Sequence, residues 1–215
     1  MLKAVIFDLD GVIADTERLH AQTSAELLQE FGIFIPPQQL SAKYAGTSGE
    51  FMFRDLFSER RILADPIAIA RRHWQKMYTL LDGNIQPMPG VVGLIQELKQ
   101  HGIKIGVASG SYLHFIDIVL GKLNLKTAFD AIASGEEVRN IKPAPDVFLL
   151  AAERLGVPPK NCVVIEDAVA GMVGARRAGM KCVGLVENPA NGYPADVLVS
   201  DLDAISLAQL HALFV

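Results

Sequence analysis

Two aspartates, Asp8 and Asp10, close the apolar run Ala4-Val5-Ile6-Phe7 near the amino end, and Gly11 follows them. Carboxylates this close repel one another unless a cation sits among them. A second acidic pair, Glu166 and Asp167, closes the run Val163-Val164-Ile165. Hard oxygen ligands of this kind suit Mg²⁺. Ser109, Gly110 and Ser111 end a third run, 103–108, where a hydroxyl and loop N–H groups can grip phosphoryl oxygens at a helix start. Lys142, between Ile141 and Pro143, can offset charge on phosphate and carboxylates. Taken singly, these are loop acids, helix N-caps and a surface lysine. Their joint placement at the ends of apolar runs points to a site for Mg²⁺ and a phosphate.

Runs that are apolar at successive positions read as parallel strands covered on both faces. Ligands in such sheets bind outside the carboxyl ends of the strands. From residue 88 onward, strands and helices alternate. Pro89-Gly90 opens a helix with Val91, Leu94, Ile95 and Leu98 at helical spacing. Strands are predicted at 103–108, 131–133, 163–165, 181–186 and 195–199, with helices at 112–121, 145–155 and 168–178 and a short terminal one. This alternation predicts an α/β fold, a doubly wound parallel sheet with right-handed crossovers.

Residues 15–86 break the rhythm, because a βαβ unit needs only about 30 residues. The segment reads as helical. Ala21, Ala25 and Leu28 share one face; Ile67, Ala70, Trp74, Met77, Tyr78 and Leu81 share another, with Trp74 expected inside the insertion. The expected organisation is a catalytic core of residues 1–14 and 87–215 with an α-helical cap at 15–86. The cap would hinge near Asp15 and 85–88 and close over the acidic edge.

With 215 residues and a net charge of -4, the chain offers no basic surface for nucleic acid or an anionic membrane. No apolar stretch approaches the roughly 20 residues that span a bilayer. The amino terminus runs directly into a strand ending in acids, unlike a signal peptide, so a cytoplasmic location is expected. Cys162 and Cys182 begin apolar runs and read as small buried hydrophobes.

Four segments together resemble the haloacid dehalogenase-like hydrolase superfamily: 8–16 (Asp-Leu-Asp-Gly-Val-Ile-Ala-Asp-Thr), Ser109, 142–146 (Lys-Pro-Ala-Pro-Asp) and 166–171 (Glu-Asp-Ala-Val-Ala-Gly). The nearest pattern is its helical-cap subfamily, which holds β-phosphoglucomutases, phosphoglycolate phosphatases and sugar phosphatases. The resemblance implies a Rossmann-like core with a four-helix cap. It also implies a Mg²⁺-dependent phosphatase acting on a small phosphorylated metabolite through an aspartyl-phosphate, as a monomer. By position, Asp8 would be the nucleophile and Asp10 the acid/base. Mg²⁺ would be held by Asp8, the backbone carbonyl of Asp10 and Asp167, with Glu166 behind or among them. Ser109, Gly110 and Lys142 would hold phosphate. Dehalogenases of the superfamily lack the second aspartate, so Asp10 argues for phosphate chemistry.

The alternative within the resemblance is a β-phosphoglucomutase-type mutase. Thr16 and His20 match its cap hinge and adjoining histidine. The cap loop carries Gly46, Ser48 and Glu50, but Gly49 stands where mutases place an arginine that grips the remote phosphate. Their cap lysine falls at about His73. Arg54, Arg71, Arg72 or Lys76 could substitute, while Glu50 would repel a second phosphate; phosphatase is the preferred expectation. A phospho-receiver module also gathers acids, a hydroxyl and a lysine, but it is smaller, lacks a cap and does not place Asp-x-Asp after its first strand.

Overall fold

The computed structural model describes residues 1–81, 83, 85–188 and 192–214. Six strands, β1 (Ala4–Phe7), β2 (Lys104–Ser109), β3 (Ala131–Ser134), β4 (Cys162–Glu166), β5 (Lys181–Leu185) and β6 (Val197–Val199), pair in parallel in the order β3-β2-β1-β4-β5-β6. The order reverses direction at β1, so its carboxyl end opens on the crevice where such sheets bind ligands. Phe7 lies opposite Val107 and Ile165, which brings the ends of β1, β2 and β4 level.

The apolar runs are continuous because both faces of the sheet are covered. Val5 and Phe7 pack with Ile105, Val107, Val163 and Ile165 on one face, under α5 (Val91–Gln100) and α6 (Leu113–Lys122). Ala4 and Ile6 pack with Ala108, Cys162 and Val164 on the other, under α7 (Asp146–Leu155) and α8 (Val169–Arg177). Each fully buried large side chain here contributes roughly 1.5–3 kcal/mol. Both cysteines are free and buried. A short helix, α9 (Leu207–Ala212), follows the edge strand. No helix among the described residues is long and apolar enough to cross a membrane.

Four helices are inserted after β1: α1 (Glu17–Gln29), α2 (Pro37–Tyr44), α3 (Gly49–Arg60) and α4 (Pro66–Leu80). They bury a cluster of their own that includes Leu27, Leu28, Leu40, Phe53, Leu56 and Ile69. The two connections to the sheet lie side by side. Ala14 pairs antiparallel with Pro87, Asp15 donates its N–H to Gln86 at 3.1 Å, and Met88 donates to Ile13 at 2.9 Å. Helix α4 serves both bodies, since Ile69 packs within the insertion while Met77 and Leu81 join the sheet's cluster. Trp74, expected inside the cap, instead stands between cap and core. It is half-buried, with its ring 4.8 Å from Tyr112 and 5.2 Å from Phe115. A helix bridging two bodies buries two stripes, which one apolar face in the sequence does not separate.

Candidate active site

The cleft between insertion and sheet has a volume of about 350 Å³, the size of a small-metabolite site. Its floor is the carboxyl edge of β1, β2 and β4. Asp8 follows β1 directly and is buried. Lys142 is buried beside it, its Nζ 2.5 Å from Asp8 Oδ1 and 2.6 Å from Glu166 Oε1. The other Glu166 oxygen accepts the Ala168 N–H at 2.8 Å. Gly11 permits the close approach of the two acidic loops. Its φ is 80°, and a Cβ there would lie 2.2 Å from Asp167 Oδ2. Gly171 does the same for Glu166, whose Oε1 would lie 1.7 Å from an added Cβ.

Asp10 turns its side chain away from this cluster. It accepts hydrogen bonds from Thr16 Oγ1 and, at 2.8 Å, from Ser111 Oγ, and pairs with His20 Nε2 at 3.3 Å. Burial works against the Asp10 charge, but His20, Thr16 and Ser111 prevail and hold it down at about 2. Burial likewise opposes charge on His20, and Asp10 more than offsets it, raising the imidazole above its ordinary value. Each group thus favours the charged form of the other across the 3.3 Å contact. The His20 ring stacks on His73 at 5.2 Å, and His73 Nε2 lies 3.3 Å from the His20 carbonyl oxygen.

The remaining expected residues divide by position. Gly110 lines the cleft, whereas Ser109 is fully buried beneath it, its Oγ accepting the Ser111 N–H at 3.0 Å. Thr16 is buried and reaches only as far as Asp10. His20, Gly46, Ser48 and Glu50 all line the cleft. Ser48 also caps α3 by accepting the Phe51 N–H at 3.1 Å, and Glu50 is bonded to Arg54. Gly46 has a φ of 73°, and a Cβ on it would come within 2.9 Å of Ala168 Cβ, so the cap loop touches the sheet side just past the acidic pair. Sequence spacing carries no signal for the bond from Ser111 to Asp10, 101 positions apart. Nor does it reveal that Glu17 lines the cleft, where its first-turn position reads as a helix-dipole acid.

A model of the haloacid dehalogenase-like hydrolases matches residues 5–185. The chain belongs to this family. It is 35% identical over 181 residues to the fructose-1-phosphate phosphatase YqaB of Escherichia coli, covering 83% of this chain and 94% of that protein. It is 32% identical over 211 residues to hexitol phosphatase B of the same species, covering 97% and 94%. Among solved structures, β-phosphoglucomutase of Clostridium difficile superposes with a TM-score of 0.88 at 31% identity, over 100% of this chain and 97% of that one.

The acidic cluster of this haloacid dehalogenase-like hydrolase fits a divalent cation. Asp8, Glu166 and Asp167 each offer an oxygen, all within 4.8 Å of one another. Without an ion, burial drives the Asp8 carboxyl up to about 8; Lys142 opposes the rise, and Glu166 and Asp10 add to it. Burial, then Glu166 and Asp8, raises Asp167 well above the carboxylate range. A consequence for stability follows from linkage. Between an unfolded value near 3.8 and the folded value of about 8, the folded protein holds the Asp8 proton and the unfolded chain does not. Stability from this group is therefore full at low pH and lost as pH rises through 8. A divalent ion needs the deprotonated ligands, so Mg²⁺ should raise the melting temperature more at pH 8.5 than at pH 5.5. Thermal melts with Mg²⁺ or a chelator at both pH values check this, and an equal rise at both would refute it.

Proposed function

We propose that the protein is a Mg²⁺-dependent phosphatase that hydrolyses a small phosphate monoester through an aspartyl-phosphate on Asp8. The observation that carries the reading is the buried Asp8 carboxylate on the cleft floor, bonded to Lys142 and beside Asp167, with Asp10 two residues on. Two relatives, YqaB and hexitol phosphatase B, bear the names of sugar-phosphate and hexitol phosphatases and support it.

In the first step an Asp8 carboxylate oxygen attacks phosphorus, the ester P–O bond breaks, and the departing oxygen takes a proton from Asp10. In the second, water attacks the phosphorus of the aspartyl-phosphate, yields a proton to Asp10, and the bond to Asp8 breaks to release phosphate. The ionised Asp10 held by Thr16, Ser111 and His20 is in the form that accepts the water's proton. For the acid half it must be protonated, which the approach of an anionic ester favours. Lys142, tied to Asp8, aims the nucleophile and adds positive charge beside the transferring group. The Gly110 N–H, on the loop that lines the cleft, is the donor this loop offers to phosphoryl oxygens, since the Ser111 N–H is taken by the Ser109 hydroxyl buried below it. Mg²⁺, held by Asp8, the Asp10 carbonyl and Asp167, would screen the nucleophile from the anionic ester. Both Glu166 oxygens are already engaged, by Lys142 and the Ala168 N–H, so Glu166 is assigned to holding Lys142 and not the ion.

Hydrolysis is preferred to a mutase reaction because a mutase must grip both ends of a bisphosphate. Gly49 lines the cleft without a side chain. Three of the four cations that could replace an arginine there are engaged elsewhere: Arg54 with Glu50, Arg72 with Glu30 at 2.7 Å, and Lys76 with Glu26 at 2.8 Å. The mutase alternative retains two favourable observations, the contact of His20 with Asp10 and the likeness to β-phosphoglucomutase. A panel of sugar phosphates, phosphoglycolate, nucleotides and pyrophosphate, followed for free phosphate and for isomer, separates the two. One phosphate per ester consumed is expected. Glucose 6-phosphate formed from β-glucose 1-phosphate would overturn the hydrolytic reading.

A further inference from the structure

Asp10 is the group that meets the departing oxygen, and its two partners each bring an aromatic ring to that part of the cleft. Ser111, whose Oγ bonds Asp10, is followed directly by Tyr112. His20, which also pairs with Asp10, meets Trp74 edge-on with the ring centroids 5.3 Å apart. The two rings in turn meet across the boundary of cap and core, 4.8 Å apart and tilted by 42°. Both line the cleft. Tyr112 is exposed and Trp74 half-buried, so each keeps ring surface that no other side chain covers. Ile67, two turns before Trp74 on α4, and Ile141 on the core side are exposed and line the same cleft.

The polar side chains of the cap wall are mostly engaged within the cap. Glu17 accepts a hydrogen bond from Ser41, Tyr44 donates to Asp55, Thr47 donates to the Tyr44 carbonyl, and Glu50 is paired with Arg54. What the wall offers beside Asp10 is therefore apolar and aromatic surface more than directed hydrogen bonds. A closed sugar ring suits such a surface. One of its faces presents mainly C–H groups, which the negative π-face of an aromatic ring attracts. An open-chain polyol has no flat apolar face, and it would press hydroxyls against carbon without replacing their bonds to water.

We propose that Trp74 and Tyr112 form an aromatic platform that receives the ring of the leaving group, so that the preferred esters are phosphates of cyclic sugars rather than of open-chain polyols. The inference rests on the phosphatase reading and specifies the alcohol half of the same substrate.

Glucose 6-phosphate and sorbitol 6-phosphate test it, because both carry six carbons and a phosphate on a primary carbon and differ in whether the chain is closed into a ring. The intact protein should show the higher kcat/KM for glucose 6-phosphate. Tyr112→Ala should lower that preference ratio roughly 3- to 10-fold, through KM more than kcat, and Tyr112→Phe, which keeps the ring, should restore it. Trp74→Ala should act in the same direction. Trp74 also joins cap to core, so melting temperatures are measured alongside, and the exposed Tyr112 decides the matter if Trp74→Ala does not fold. Failure of glucose 6-phosphate to bind or turn over better than sorbitol 6-phosphate overturns the inference. So does a ratio that Tyr112→Ala leaves unchanged, or one that Tyr112→Phe does not restore. Titration calorimetry of both esters into Asp8→Asn, with and without Tyr112→Ala, separates this inference from the reading beneath it. Ring-selective binding that depends on Tyr112, without phosphate release by the intact protein, would defeat the phosphatase reading alone; phosphate release without ring selectivity would defeat this one alone.

Discussion

Replacing Asp8 with Asn should lower kcat on every accepted ester by at least about 10⁴-fold while leaving the fold intact. The amide has the shape of the carboxylate, but its oxygen is a poor nucleophile and cannot form the acyl-phosphate. Lys142 keeps its second bond, 2.6 Å to Glu166, so the substitution leaves no buried cation without a partner. It also removes one negative charge from a cluster whose mutual repulsion contributes to raising the Asp8 carboxyl to about 8. In the absence of Mg²⁺ at pH 8.5, the variant should melt no lower than the parent. Turnover within tenfold of the parent would take the nucleophile's role away from Asp8.

Lys142→Ala should affect stability and catalysis together. The ammonium is buried and bonded to two buried carboxylates, and its charge is maintained because Asp8 and Glu166 offset the burial penalty. Removing one member of a buried charge cluster costs on the order of 3–5 kcal/mol when the partners stay ionised. Here the partners can take protons instead, and the sign of the pH dependence follows. Without the lysine, the folded-state Asp8 carboxyl rises further above its unfolded value, so the penalty is small in acid and grows as pH increases. Denaturant unfolding without metal should show a larger loss at pH 8.5 than at pH 6. With Mg²⁺ present, kcat/KM should fall by about 10²–10³-fold. A pH-independent loss of stability would mean that packing, and not charge, is what Lys142 provides.

The sheet is legible in the sequence because continuous apolar runs have one economical explanation, strands covered on both faces. The site is legible for a related reason. Residues at and directly after the carboxyl ends of parallel strands share one edge wherever the strands fall in the chain, so Asp8, Ser109 and Glu166-Asp167 come together without any knowledge of side-chain angles. What the edge rule cannot supply is direction. Asp8 and Asp10 are two residues apart, yet one faces the metal cluster and the other faces Thr16, Ser111 and His20. Ser109 reaches the right loop but lies beneath its surface. In the insertion the limits are stronger. Arg54, Arg71, Arg72 and Lys76 read alike as charges on helices. Only the packing of α1 against α4, which brings Glu26 and Glu30 within reach of Lys76 and Arg72, leaves Arg71 lining the cleft with no ion pair among the described residues. Trp74 illustrates the same limit, since helical spacing identifies its face and not the body that face meets.

The covalent step is the central claim, and chemical trapping reads it directly. The enzyme is mixed with a turned-over ester and Mg²⁺, quenched in acid within the first turnovers, reduced with borohydride and analysed by peptide mass spectrometry. An acyl-phosphate on Asp8 should appear as homoserine at position 8, formed only when ester is present and absent from Asp8→Asn. Homoserine at another aspartate, the reduced alcohol at a glutamate, or complete turnover with position 8 unmodified at every quench time, would contradict the account.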